Sequence, residues 1–257
     1  MSDATAGGRG TRPAFKANSA RPQAALTGRL LGGPAAYGDF GVAARLAKLY
    51  RAVDISGLRV LDLGCGIGSY TVELARRAGW VCGLDVQQKH LASFRAQIPR
   101  VRALAETLPF APETFDAVTL IEVLEHTRSD AAVLAECRRV LRPGGRLLLF
   151  VPNKLYPLES HPCFLGKNAI GYNIPFASWL PDSVRRHICH ARIYSKRKLL
   201  ALADLAGFQP EVVDYLYPPL DHFPLPFRSQ YRALAGRLER TPLRVFGVSI
   251  FMVLRRS

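Results

Sequence analysis

The sequence predicts an α/β protein: a doubly wound, mostly parallel sheet of seven strands with a cap inserted after the fifth. Three observations carry that prediction. The aliphatic run "LRVLDLG" from Leu58 stops at a turn with three glycines in five positions, Gly64, Gly66 and Gly68. Short aliphatic runs then alternate with helix-period segments as far as Asn153, and strands separated by helices pair in parallel through right-handed crossovers. Beyond Asn153 the rhythm breaks into a stretch rich in proline and aromatics before further helices and two strands close the chain.

Taken in order, "GVAARLAKLYRAV" (41–53) repeats Val42, Leu46, Leu49 and Val53 at the spacing of one helix face and predicts a lead-in helix. "LRVLDLG" has the composition of a strand buried on both faces. "SYTVELARRAG" follows as a helix closed by Gly79, since glycine suits the position past a last turn. Then come strand "WVCGLDV", helix "QKHLASFRAQI", strands "RVRALA" and "FDAVTLIEV", helix "SDAAVLAECRRVLRPGG" and strand "RLLLFVPN". Ser129 is the expected N-cap of the long helix, and Pro143, Gly144 and Gly145 its stop. Residues 154–192 are too irregular for a second core and too apolar for a free linker, so they are expected to cap the carboxyl edge of the sheet. "SKRKLLALADLAGF" restores a helix behind Ser195, "EVVDYLYP" is the sixth strand and "FGVSIFMVLRR" the seventh. A second insertion, 218–244, lies before that last strand and carries the helix "FRSQYRALAGRLER".

A chain of 257 residues suits one domain with insertions, here 37–257. Residues 1–36, rich in Ala, Gly, Arg, Ser and Thr, read as a disordered basic tail without the apolar core of a secretory signal. The longest apolar runs fall far below the ~20 residues that cross a bilayer. Five cysteines (Cys65, Cys82, Cys137, Cys163, Cys189) form no CxxC pair, which fits reduced thiols, no disulfide and a cytoplasmic location. The net charge of +15, more than half of it after residue 150, attracts polyanions such as RNA, anionic lipid or a phosphorylated substrate. No RNA-reading motif accompanies it, so nucleic acid is the less favoured partner.

A glycine turn between a first strand and its helix places backbone groups and a helix N-terminus at the mouth of the sheet. Dinucleotides call for GxGxxG, and this turn is GxGxG, with Thr71 where the third glycine would stand. S-adenosylmethionine fits better. Its amino-acid end is a zwitterion, for which Asp62 and the Gly64 carbonyl are candidate acceptors of the ammonium. Asp85 closes "GLDV" 21 residues past Gly64, the placement of a carboxylate that accepts from ribose hydroxyls.

Together "VLDLGCGIGSY", "GLDV", "AETLPFAPETFDAVTLIEVLEH" and "ECRRVLRPGGRLLLFVPN" resemble the class I S-adenosylmethionine-dependent methyltransferases, a Rossmann-like fold. The likeness is to their small-molecule branch that includes the ubiquinone-biosynthesis enzymes. It covers roughly residues 55–153, and "RIYSKRKLLALADLAGF" more loosely. The resemblance implies that Gly64, Gly66 and Gly68 line the methionine end and Asp85 takes the ribose. It implies also that Val86 packs on adenine, Ala105 and Glu106 flank adenine, and Ile121 and Glu122 stand beside the sulfonium. Leu104 replaces an aspartate common in the family, which leaves adenine to the backbone or to Glu106.

Methyl transfer chiefly asks for positioning and exclusion of water, and a hydroxyl acceptor asks for a base as well. His126 in "EVLEH" is the first candidate base and His161 in the cap the second. His161, Cys163, His187, Cys189 and His190 do not have the spacing of a zinc site, so no metal is expected. The expected activity is S-adenosylmethionine-dependent methyl transfer, on oxygen, to a small-molecule, glycolipid or quinone-like acceptor. "YLYPPLDHFPLPFRSQYR" (215–232) offers ordinary core or a greasy edge for peripheral membrane contact. The alternatives are an RNA methyltransferase and a non-catalytic S-adenosylmethionine-binding scaffold. "EVLE" stands where base-methylating enzymes carry N/DPPY, which argues against the first.

Overall fold

The computed structural model describes residues 39–165, 168–218 and 227–257. The expected tail, 1–36, lies outside the described residues, as do 219–226 of the second insertion. The chain runs α1 (Asp39–Ala52), β1 (Arg59–Leu63), α2 (Ser69–Ala75), β2 (Trp80–Asp85), α3 (Gln88–Ser93), β3 (Arg100–Arg102) and β4 (Phe115–Ile121). It continues through α4 (Asp130–Val140) and β5 (Leu141–Pro152) into the cap: β6 (Leu158–Glu159), β7 (Cys163–Leu165), β8 (Asn168–Gly171), β9 (Ile174–Pro175) and α5 (Asp182–Ile188). The remaining elements are α6 (Lys196–Leu205), β10 (Phe208–Leu216), α7 (Arg228–Leu238) and β11 (Ser249–Arg256).

The seven-stranded sheet has the order β10-β11-β5-β4-β1-β2-β3. Strands β5 to β3 across it are parallel, and β11 lies antiparallel between β5 and β10. The mostly parallel, doubly wound reading therefore holds. From β1 the chain winds outward to β3, then returns to place β4 on the other flank of β1. A crevice opens where successive connections leave in opposite directions, at the carboxyl ends of β1 and β4. The glycine turn follows β1 there and "EVLEH" follows β4.

Both faces of the central strands are covered, which is why their sequences do not alternate. Leu61, Leu63, Val118, Leu120, Leu147 and Leu149 pack on the α4/α6 side, and Val60, Ala117, Leu148 and Phe150 on the α1/α2 side. Each such Leu or Val, 0–1% exposed, contributes on the order of 1.5–3 kcal/mol of burial. The N-caps predicted at Ser129 and Ser195 form, each hydroxyl accepting the N–H three residues on at 3.2 Å.

Three expectations are corrected. Gly79 is not the cap of α2, which ends at Ala75. Its bare Cα is required because a Cβ would stand 2.6 Å from the Gly57 carbonyl oxygen. The fifth strand starts at Leu141, not after the glycines; Arg142 to Gly145 form an excursion at the pairing shift opposite β4, with Gly144 at φ +76°. The cysteines are not all free thiols: Cys163 and Cys189 form a disulfide, leaving Cys65, Cys82 and Cys137 reduced and buried. They are 26 residues apart, and only the antiparallel contact of β7 with the end of α5 brings them together. Tyr215 and Leu216, which open the stretch read as ordinary core or a greasy edge, are core residues.

Candidate active site

The glycine turn is held to β2. Gly64 and Cys65 donate their N–H groups to the Leu84 carbonyl at 2.7 and 2.9 Å, and Gly66 donates to Asp85 Oδ2 at 2.9 Å. All three glycines have left-handed backbone, with φ of +81°, +54° and +92°. Side chains at two of them would collide, Gly64 with Val123 and Gly68 with the Phe94 ring, whereas Gly66 faces open space. The open side over Gly66 leaves room for a ligand at the turn.

Asp85 lies at the edge of that space with Oδ1 accepting from Gln87 N–H at 2.7 Å. A carboxylate has about four acceptor directions, and two are taken. The remaining pair suits a ribose diol. Val86 beside it is half-buried. Ala105 and Glu106 lie on a turn nearby, but Glu106 Oε1 accepts the Arg128 N–H at 2.7 Å, so its carboxylate is partly spent on the protein. Asp62 is a brace: its oxygens accept from Thr71 Oγ1 at 2.6 Å and Thr119 Oγ1 at 2.8 Å, binding α2 and β4 to β1. Burial raises its pKa, against those two hydroxyls.

Ile121 ends β4 in the core, and Glu122 adopts φ +54° at the crevice. Its Oε1 accepts from Arg45 of α1 at 2.9 Å and from Ser249 of β11 at 2.5 Å. Arg45 and Lys48, both buried, tie α1 down; Lys48 pairs with Asp214 at 2.7 Å and Glu239 at 2.9 Å. Charged residues on the inward face of a helix carry no hydropathy signal, so sequence reasoning missed both.

The two histidine candidates meet. His126, in a single 3-10 turn (Leu124–His126), lies with its ring centroid 5.5 Å from that of His161 in the cap. Between them is Glu125, 1% exposed, with Oε1 at 3.7 Å from His126 Nε2 and 3.8 Å from His161 Nε2. Neither carboxylate oxygen of Glu125 has a hydrogen-bond partner among the described residues. His161 also faces Glu159, Nδ1 to Oε1 at 3.1 Å, and Glu159 is held by the Arg185 guanidinium at 2.6 Å. The turn is clamped from behind by Arg192, which donates to the carbonyls of Thr127 and Leu124 and pairs with Asp130 at 2.7 Å.

Burial and the charge on His161 push the His126 pKa down to about 4, which leaves the ring neutral. Burial alone would discharge His161, but Glu125 and Glu159 outweigh it and raise its pKa to about 9. Burial pushes Glu125 up to about 7, opposed by His161. The group poised near neutrality is thus Glu125, which the sequence reading passed over in favour of its neighbour. Glu125, His126 and His161 each offer a ligand atom within 4.8 Å of the others, a spacing a divalent cation could bridge. The residues first weighed for zinc share only His161 with this group, and two of them, Cys163 and Cys189, form a disulfide. In this arrangement the imidazolium of His161 supplies the positive charge.

That charge has a measurable consequence. His161 titrates near 6.5 when unfolded and about 9 when folded. Its contribution to stability is complete below about pH 6.5 and lost as pH rises through about 9. The melting temperature is expected to fall across that window, and His161→Gln to flatten the fall; equal slopes in the two proteins would refute the assignment.

The comparisons with known proteins agree with this fold. Residues 61–149 match the methyltransferase domain family. A ubiquinone biosynthesis O-methyltransferase of Xylella fastidiosa (strain M23) is 36% identical over 118 residues, 43% of this chain and 48% of that protein. The chain thus spans about half the length of that relative. One of the same name from Dechloromonas aromatica (strain RCB) is 29% identical over 188 residues, 68% of this chain and 75% of that protein. The structure of an S-adenosylmethionine-dependent methyltransferase from Mesorhizobium loti superposes with a TM-score of 0.60 at 22% identity, covering 84% of this chain and 100% of the other. Residues 61–149 thus form a methyltransferase domain on the fold shared with S-adenosylmethionine-dependent methyltransferases, which implies S-adenosyl-L-methionine as the cofactor. The open face over Gly66 and the two unfilled acceptor directions of Asp85 fit that cofactor.

Proposed function

We propose that the protein transfers the methyl group of S-adenosylmethionine to a hydroxyl oxygen of a small, quinone-like acceptor held beneath the cap. The observation that carries this is Glu125: a buried carboxylate without hydrogen bonds, behind a neutral His126, at the carboxyl end of β4. When bound, the cofactor supplies an electrophilic methyl on a sulfonium. The chain's part is to bind the ribose through Asp85, exclude water with residues 154–192, and remove one proton. His126, 23% exposed against Glu125's 0% at the side chain, is the member of the pair that faces the acceptor. Its ring accepts the hydroxyl proton as the oxygen is methylated, and the Glu125 carboxylate stabilises the imidazolium that results. Contacts between such groups are often long without ligand and tighten on binding.

The cofactor readings of Gly64, Val86, Ala105, Ile121 and Glu122 belong to this proposal, whereas Asp62, its oxygens taken by Thr71 and Thr119, supports the turn and is not the ammonium acceptor. The names of the relatives support oxygen and a quinone-like acceptor, as does the lack of N/DPPY after β4. Exposed apolar side chains on the cap, Leu165 (70%), Tyr172 (68%) and Phe176 (57%), together with the basic last third of the chain, support an enzyme that touches a lipid surface to collect an apolar substrate. No helix among the described residues is long and apolar enough to cross a membrane. The test is incubation with methyl-labelled cofactor and separate phenolic-quinol, glycolipid and RNA fractions. Label in an ether of the quinol fraction is expected; label in RNA alone, or nowhere, would overturn the reading.

A further inference from the structure

Beside Asp85 the protein buries an imidazole that no described residue satisfies. His90, in α3, is 5% exposed, and both ring nitrogens are buried without a hydrogen-bond partner among the described residues. A buried polar group left unpaired costs about 1–3 kcal/mol, and an apolar side chain of similar size would avoid that cost. Its nearest charged neighbour is the ribose carboxylate: His90 Nδ1 stands 3.6 Å from Asp85 Oδ1. That is too long for a hydrogen bond, yet a shift of under ~1 Å would make one.

The ring cannot readily move aside. Leu91 and Phe94 of the same segment are buried with Cys65 against the glycine turn, and the Phe94 ring fills the space where a Cβ on Gly68 would sit, 2.5 Å away. Asp85 is the adjustable partner. Its oxygens are now drawn toward Gly66 and Gln87, and arrival of a diol changes what pulls on them.

We propose that His90 is a positioning residue for the ribose of the cofactor. It acts through Asp85, and the proposal rests on the cofactor reading above. As the two hydroxyls load the carboxylate, Asp85 Oδ1 swings from the Gln87 N–H onto His90 Nδ1–H, a donor that fixes its plane. An imidazole left wanting in the empty site is satisfied in the filled one, so that part of the cost of burying it returns as affinity.

The experiment is calorimetric titration of the full chain with S-adenosylhomocysteine and with its 2′-deoxyribose analogue, for the unaltered protein, His90→Leu and His90→Gln. The unaltered protein is expected to prefer the ribose ligand. His90→Leu is expected to bind it roughly tenfold more weakly, to discriminate less between the two ligands, and to melt no lower than the unaltered protein when empty. His90→Gln, which keeps a donor, is expected to retain much of the preference. Unchanged affinity in both variants, or an equal loss for both ligands, overturns the role of His90 while leaving the cofactor reading intact. Failure of the unaltered protein to bind S-adenosylhomocysteine overturns both.

Discussion

Asp85→Ala is expected to weaken S-adenosylhomocysteine binding by about a hundredfold or more. On the proposed cofactor reading the carboxylate accepts two ribose hydroxyls, and hydrogen bonds to a charged group contribute about 1.5–3 kcal/mol each. Losing both removes at least ~3 kcal/mol, and each 1.4 kcal/mol is about tenfold in affinity. The substitution also releases the N–H groups of Gly66 and Gln87, so the empty protein should lose stability. Asp85→Asn separates the two effects: it keeps one acceptor oxygen and the shape, and should fold like the unaltered protein while binding with intermediate strength. Calorimetry reads the affinities, thermal melting the fold. Undiminished affinity in a folded Asp85→Ala protein would remove the ribose from this edge of the sheet.

What the sequence made legible was local. The glycine turn, Asp85, the caps at Ser129 and Ser195 and the seven strands are all patterns within a dozen residues, set by backbone sterics and by burial on both faces. The site's electrostatics are not local. Glu159 meets Arg185 across 26 residues and Arg192 reaches back 68 to Leu124; neither pairing leaves a spacing to read. The disulfide escaped for the same reason. His126 and His161 could be singled out by residue type, but their opposite charge states depend on which buried carboxylates each faces. Glu125, inside the quoted "EVLEH", was overlooked because a glutamate in a short polar turn ordinarily faces water. Only the cap, through His161 and Arg192, encloses it.

That enclosure gives Glu125→Gln the second large effect. The amide preserves the shape of the turn but neither stabilises an imidazolium nor takes part in proton removal, and loss of general-base assistance costs about 10²–10⁴ in rate. Since burial sets Glu125 near 7, the unaltered enzyme should lose turnover as pH falls below about 7, where the carboxyl becomes protonated and no longer stabilises the imidazolium that His126 becomes on taking the substrate's proton. In Glu125→Gln that acid limb should vanish, leaving a low, flat rate. His126→Ala should lower turnover comparably. S-adenosylhomocysteine should bind both variants as it binds the unaltered protein, because neither residue is assigned to the cofactor. A Glu125→Gln enzyme that keeps the full rate and the same acid limb would move proton removal elsewhere. The acceptor would then have to arrive already ionised, with the imidazolium of His161, poised to about 9, as the charge that holds it.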